Sequence, residues 1–297
     1  MKIRKVVFAG LFLMSSLTIA SAQVKLSFNP EKGKKYEYQT DVIQNIQQSV
    51  MGQSIPMEME MSVKYLMEIS DKTPQETTVQ YIFKEVAYII SSPMIKMGYD
   101  SNDSSEKDNI LGKMFSNLID VSLMAIIAPD GSVKSLTGMD AVVEKMNRAI
   151  ASEGQTEAQI GASIMSQFSD DALKNSFQQL LKIYPANKVK AGESWNMESA
   201  ISVNSMNTNI KTKYTLKEIG KNMASIAVSS DLDMNMGAGM DGEITGAGTG
   251  TMSVDVKTGL PLMSEINQNM KGTVKAQGME IQMELITKTK TTIQEVK

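Results

Sequence analysis

The chain has 297 residues, a formal net charge of −3, and neither histidine nor cysteine. Without those side chains, Ser-His-Asp and Cys-His nucleophiles, imidazole acid–base chemistry, disulfides and the usual zinc and copper(II) sites are excluded, which leaves carboxylates, Lys and Tyr. Beyond residue 22 the single arginine is Arg148, so the concentrated positive charge that a nucleic-acid partner demands is missing.

Lys2, Arg4 and Lys5 precede an apolar run from Val6 to Met14, and Ala20-Ser21-Ala22 supplies small residues at the spacing a signal peptidase reads. The expectation is a cleaved secretory signal over 1–22 and a periplasmic or secreted protein starting at Gln23. The run is shorter than the roughly 20 residues a spanning helix needs, and no longer apolar run follows, so no transmembrane segment is expected in the mature chain. Loss of the three cations takes the net charge to −6.

Residues 23–100 read as β-rich. Met57, Met59, Met61, Val63, Tyr65, Met67 and Ile69 alternate with mostly polar residues, the pattern of a strand with one buried face. Tyr36 to Val50 reads as its hairpin partner through a turn at Met51-Gly52-Gln53-Ser54, and Thr77 to Ile90 as a further strand. Residues 101–184 read as helix-rich. Ser104-Ser105-Glu106 resembles an N-cap, and Ile110, Leu111, Met114, Phe115 and Leu118 recur at helical spacing to about Ile119. A short hairpin over 121–136 turns at Pro129-Asp130-Gly131, and helices are expected over Gly138 to Ala151 and Glu157 to Ile183. Residues 185–297 read as β-rich again, over 195–219, 223–236, 248–257, 260–275 and 278–295, with Gly-rich 237–250 as a mobile connection.

The two β regions share local sequence. Lys32-Gly33-Lys34-Lys35-Tyr36 is echoed by Ala191-Gly192-Glu193-Ser194-Trp195, and Lys64-Tyr65-Leu66 by Lys213-Tyr214-Thr215-Leu216. A duplicated β unit and a chance likeness of amphipathic strands both account for this. The expected fold is a single α+β domain over 23–297: a curved, mainly antiparallel, half-barrel-like sheet with inserted helices packed on one face.

Gly33-x-x-Tyr36, Val50-Met51-Gly52-Gln53, Tyr99-Asp100-Ser101, Pro129-Asp130-Gly131 and the run Pro185 to Val189 with Gly192 and Trp195 together resemble an uncharacterised family of exported Bacteroides-group proteins, a domain of unknown function. The resemblance implies no catalytic residues. Its general look is similar to periplasmic lipoprotein carriers, which implies acyl chains held in a half-barrel, an analogy of fold alone.

Three features invite functional readings. Methionine is enriched, at 25 residues, and Met57, Met59, Met61, Tyr65, Met279 and Met283 lie on alternating apolar faces. Core packing, a pliable apolar pocket and a Cu(I) site are the alternatives; Ile281 and Leu285 interleaved with Met279 and Met283 favour apolarity over metal ligation. Asp231-Leu232-Asp233-Met234-Asn235 fails as a calcium loop, having Met236 where Gly is needed and Gly242 where the bidentate Glu belongs. The glycines of 237–250 lack the following helix that a phosphate cradle requires. Trp195 is the only Trp, a poor endowment for a carboxylate glycosidase. The expected function is non-enzymatic, without metal or cofactor: binding of a lipid or acyl chain between sheet and helices, or alternatively a structural or interaction role at the cell envelope.

Overall fold

A computed structural model of the chain describes residues 23–103, 107–151, 154, 161, 165, 170–203, 206–236, 240–276 and 278–296. The expected signal over 1–22 and the cap at Ser104 to Glu106 lie outside the described residues, as does most of the expected helix between Glu157 and Ser169.

The first β region runs β1 (Gln23–Val24), β2 (Lys35–Val50), β3 (Gln53–Lys72), β4 (Thr77–Ser91) and β5 (Lys96–Asp100). The middle holds α1 (Ile110–Phe115), a 3-10 turn at Ser116–Leu118, β6 (Ser122–Ile127), β7 (Val133–Thr137), α2 (Asp140–Ala151) and α3 (Asp170–Leu181). Then come β8 (Val189–Lys190), β9 (Ser194–Val203), β10 (Met206–Ile219), β11 (Met223–Asn235), β12 (Met240–Asp255), β13 (Pro261–Ala276) and β14 (Met279–Glu295). Twelve of the strands form one antiparallel sheet in the order β7-β6-β4-β3-β2-β14-β13-β12-β11-β10-β9, with β5 pairing β4 off that path; β1 and β8 pair separately.

This corrects the expected fold class. Of the described residues 64% are strand and 12% helix, which makes a large open antiparallel sheet rather than an α+β domain with a helical layer on one face. The helical periods in the middle third are real but short. α1 is capped by Asn109, whose Oδ1 accepts the Gly112 N–H at 2.9 Å, and the chain is already extended at Ile119, before Asp120 turns at φ 61°. α2 and α3 are 12 residues each, about 18 Å long at 1.5 Å per residue. Flat, the sheet would measure roughly 48 Å from β7 to β9, ten steps of about 4.8 Å. α3 nevertheless packs on both of these edge strands, so the sheet curls until its two edges face each other across a single helix.

The hairpin of β2 and β3 closes as the sequence indicates. Val50 pairs Gln53, and Met51 and Gly52 both have positive φ, 50° and 79°, the two-residue turn whose twist matches a hairpin. The Gly-rich segment departs from expectation: residues 237–239 lie outside the described residues, and 240–250 are not a mobile connection but eleven of the sixteen residues of β12, paired with β13 throughout and with β11 from Glu243 onward. A Cβ on Gly246 would lie 2.1 Å from the Asn269 carbonyl oxygen, so glycine there is what lets β12 and β13 fold tightly against each other. The expected continuous extension over 195–219 is likewise a hairpin, β9 with β10. The two echoed segments form like corners. Gly33 N–H donates to Ile69 O while Ile69 N–H donates to Lys34 O, at 2.8 and 2.9 Å; Gly192 N–H donates to Leu216 O and Leu216 N–H to Glu193 O, at 2.7 and 2.9 Å.

The core fills the concave side at one end of the strands, where Ile69, Met67, Val79, Leu123, Leu216, Ile226, Val254 and Leu260 are at most 1% exposed. The outer face is polar, with cross-strand ion pairs such as Lys64–Glu85 at 2.8 Å and Lys35–Glu68 at 2.9 Å. Gly246→Ala is expected to destabilise the protein by about 2–4 kcal/mol in urea unfolding, through the clash with β13 backbone. Gly248→Ala, whose Cβ would first meet the movable Gln268 side chain at 3.1 Å, is expected to cost less than about 1 kcal/mol.

Candidate functional site

Strand parity places all six candidate residues on the inner face. Met57, Met59, Met61 and Tyr65 on β3 stand opposite Ile46, Gln44, Val42 and Tyr38 on β2, which in turn oppose Leu285, Thr287, Thr289 and Ile293 on β14. Met279 and Met283 share the side of β14 that carries Leu285. Burial falls along this face: Met67 is 1% exposed, Met57, Met59 and Met61 are half-buried, and Met279 is 37% exposed.

The six do not form one pocket. Met59, Met61 and Tyr65 pack on the main core, whereas Met283 packs on a separate cluster of Leu232, Ile244, Met270 and Val274. Met57 and Met279 belong to neither cluster. The Tyr88 hydroxyl donates to the Met59 sulfur at 3.1 Å, which ties that thioether into the wall. Among the described residues no group of three or more Asp or Glu side chains converges as a metal site. Asp231 and Asp233 sit on β11, paired to Ala247 and Thr245 of β12.

α3 divides the space inside the curl. On its β2–β4 side lies a chamber of about 250 Å³ walled by Met61, Tyr65, Phe83, Val86, Tyr88 and Phe177. On its β9–β14 side lies a second, about 340 Å³, whose wall includes Gln178, Gln179, Thr212, Ser230, Gln268 and Thr289. A gap of about 60 Å³ bordered by Tyr38, Phe177, Leu180, Tyr214 and Ile266 lies beneath the helix. It shares Tyr38, Phe177 and Leu180 with the first chamber and Gln179, Leu180, Tyr214 and Ile266 with the second.

The wall between is aromatic. Tyr65 meets Phe83 with ring centroids 4.6 Å apart, Tyr81 meets Phe177 at 4.7 Å, and Tyr38 lies 5.6 Å from Tyr65. Burial disfavours the charged phenolate, so the Tyr38 phenol is pushed up to about 12 even though Thr40 and Thr291 hydrogen bonds oppose the shift. Tyr65, Tyr81 and Tyr184 are pushed up further by the same burial. The Tyr184 hydroxyl donates to Gly259 O at 2.9 Å, and Trp195 Nε1 donates to Ile183 O at 2.8 Å while stacking on Tyr214, so the chain leaving α3 is pinned to the sheet.

Sequence periodicity finds Met61 and Tyr65 but misses Phe83, Tyr88, Phe177 and the two glutamines. Tyr81 and Phe83 share one parity and Val86 and Tyr88 the other, because a bulge at Lys84 shifts the register of β4 and brings both pairs to the inner face, which strict alternation does not show. Nothing local to Phe177 to Gln179 says that this helix enters the curl.

A sequence profile described as a family of unknown function, DUF6263, matches residues 74–261, from the turn before β4 to the start of β13. The chain belongs to the DUF6263 family. No curated protein matches this DUF6263 chain in sequence. Its fold is similar to that in a solved structure titled "Lipid-protein interactions in lipovitellin", at a TM-score of 0.48 and 11% identity over 90% of this chain and 26% of that one, so it spans about a quarter of the lipovitellin chain. It is also similar to OccK7 of Pseudomonas aeruginosa, TM-score 0.26, 7% identity, covering 89% and 100% of the two chains. A third likeness is to an outer membrane channel of Pseudomonas putida F1, TM-score 0.22, 7% identity, covering 90% and 97%. Likenesses this distant say nothing of what a DUF6263 protein binds.

The raised phenols set an alkaline limit. An unfolded Tyr loses its proton near 10 and folded Tyr38 near 12. Above pH 10 the unfolded state therefore binds fewer protons, and stability falls as pH rises. Thermal melts from pH 8 to 11.5 are expected to show a flat melting temperature to about pH 10 and a decline beyond it. Phenolate absorbance of the native protein is expected to lag that of the urea-unfolded chain.

Proposed function

We propose that this chain is an exported, non-enzymatic binding protein that holds an apolar ligand, a lipid or acyl chain, against the inner face of the curled sheet beside α3. The observation that carries this reading is the first chamber: about 250 Å³ walled by Met61, Tyr65, Phe83, Val86, Tyr88 and Phe177. Ligand pockets are concave, mostly apolar and few per protein, and methionine in such a wall adapts to chains of different shape. Export rests on the basic and apolar pattern of residues 1–22. A binding role also suits a chain with neither His nor Cys for nucleophilic or metal chemistry.

The test is native mass spectrometry of the mature protein purified gently from its own envelope fraction, followed by organic extraction. A discrete co-purifying lipid is expected. An empty extract, with no shift in melting temperature on adding fatty acids or phospholipids, would sink the reading in favour of an interaction protein. Met61→Glu places an unpaired carboxylate in the chamber wall and is expected to weaken uptake of a fluorescent fatty acid at least about tenfold, or about 1.4 kcal/mol. Because Met61 is only half-buried, the fold should survive, which circular dichroism checks.

A further inference from the structure

The second chamber differs from the first in what its wall offers. Gln178 accepts the Val133 backbone N–H through Oε1 at 2.8 Å, which fixes the orientation of its amide and leaves Nε2 buried with no acceptor. Gln179 Nε2 is likewise buried with no acceptor. Unmet buried donors are rare in folded proteins because desolvation goes uncompensated, and two on consecutive residues of one helix call for an explanation. Both residues border the second chamber, and Gln179 borders the gap beneath α3 as well. The surrounding wall adds the hydroxyls of Thr212, buried Ser230 and Thr289; its charged members, Lys182 and Glu198, are exposed.

Donors without acceptors suit a ligand group that accepts and does not donate. We propose that the second chamber receives the head of a long-chain amphiphile, a carboxylate or an ester, with Gln179 Nε2 as a donor to its oxygen, while the chain runs beneath α3 toward Met61 and Tyr65. This rests on the apolar-ligand reading above and adds the chemical class of the ligand and its direction. Gln179, at the junction of gap and chamber, is the residue that distinguishes an amphiphile from a plain hydrocarbon. A turn of its terminal amide exchanges an empty contact for a ligand oxygen.

The experiment compares palmitate, methyl palmitate and hexadecane on the delipidated mature protein, by displacement of a fluorescent fatty acid. The wild type is expected to bind palmitate or its ester about tenfold or more tightly than hexadecane. Gln179→Met keeps length and removes the donor; it is expected to erase that preference, leave hexadecane unchanged and leave the melting temperature of the ligand-free protein equal or higher. Gln179→Glu, which puts an acceptor in place of the donor, is expected to lose palmitate further. Palmitate ahead of its methyl ester assigns a carboxylate head, and the reverse order an ester. Equal affinity for all three ligands, or a Gln179→Met preference unchanged from wild type, would overturn the head assignment while the apolar binder stands. Failure of the wild type to bind any of the three would overturn both.

Discussion

The ladder between the first long strand and the last one holds the sheet together. β2 and β14 pair from Tyr36 with Glu295 to Val50 with Ile281, joining strands more than 230 residues apart in sequence. On either side of this seam most neighbours in the sheet are also neighbours in the chain: β3 and β4 beside β2, and β13 back through β9 beside β14. Those hairpins close short loops, whereas the seam must close nearly the whole chain, an entropic cost met by fifteen residues of ladder acting together. Side-chain bonds reinforce it on the inner face, Thr40 with Thr291 at 3.2 Å and Gln44 to Thr287 at 3.0 Å. Without the seam the sheet would be two separate halves, and Tyr38, Met252 and Ile293 would lose the shared core.

The curl follows from the seam and from the polarity of the two faces. The outer face carries Glu37, Lys64, Glu68, Lys271, Glu284 and Lys290, a wet surface. The inner face is apolar at its packed end. A membrane-spanning barrel has the opposite arrangement, an apolar band outside and a polar lumen. An inner apolar face this wide has to be covered, and one 12-residue helix, packed on the edge strands β7 and β9, covers only part of it. Wrapping the sheet around α3 buries both edges of the apolar face against it at once, but a cylinder cannot fill a wider trough. The chambers on its two flanks are what that geometry leaves over.

How much of this was legible depends on whether the cause is local. The period-two run from Met57 to Ile69, the Met51-Gly52 turn and the helical spacing of 138–151 are properties of adjacent residues, and each appears where the residues put it. The fold class is not legible in the same way, because helical spacing shows that a helix exists without showing how small it is beside its sheet. The Gly-rich stretch misleads for a related reason. Glycine signals freedom when seen alone, yet Gly246 is needed because the backbone of β13, more than twenty residues on, occupies the place of its Cβ. Among the candidate site residues, Met61 and Tyr65 announce themselves by alternation, but the grouping that separates Met283 from them depends on how the whole sheet bends. Phe177 and Gln179 acquire their setting only once the edges meet across α3.

Those remote causes converge on one helix. α3 is held at its C-terminal end, where Val133 N–H meets Gln178 and the following residues are pinned through Tyr184 and Trp195, and its apolar contacts come from Phe177 and Leu181, both buried. A helix packed to exclude everything from the curl would show continuous apolar contact and satisfied amides. α3 instead has space on both sides and two unmet donors, so its packing is good where it joins the sheet and poor where it crosses the chambers. That division is what the proposed binding role requires of α3, a helix that leaves space on its flanks where one that plugs a core would fill it. The chambers of a protein without histidine, cysteine or a converging carboxylate cluster among its described residues therefore depend on what the curl fails to fill, not on reactive side chains.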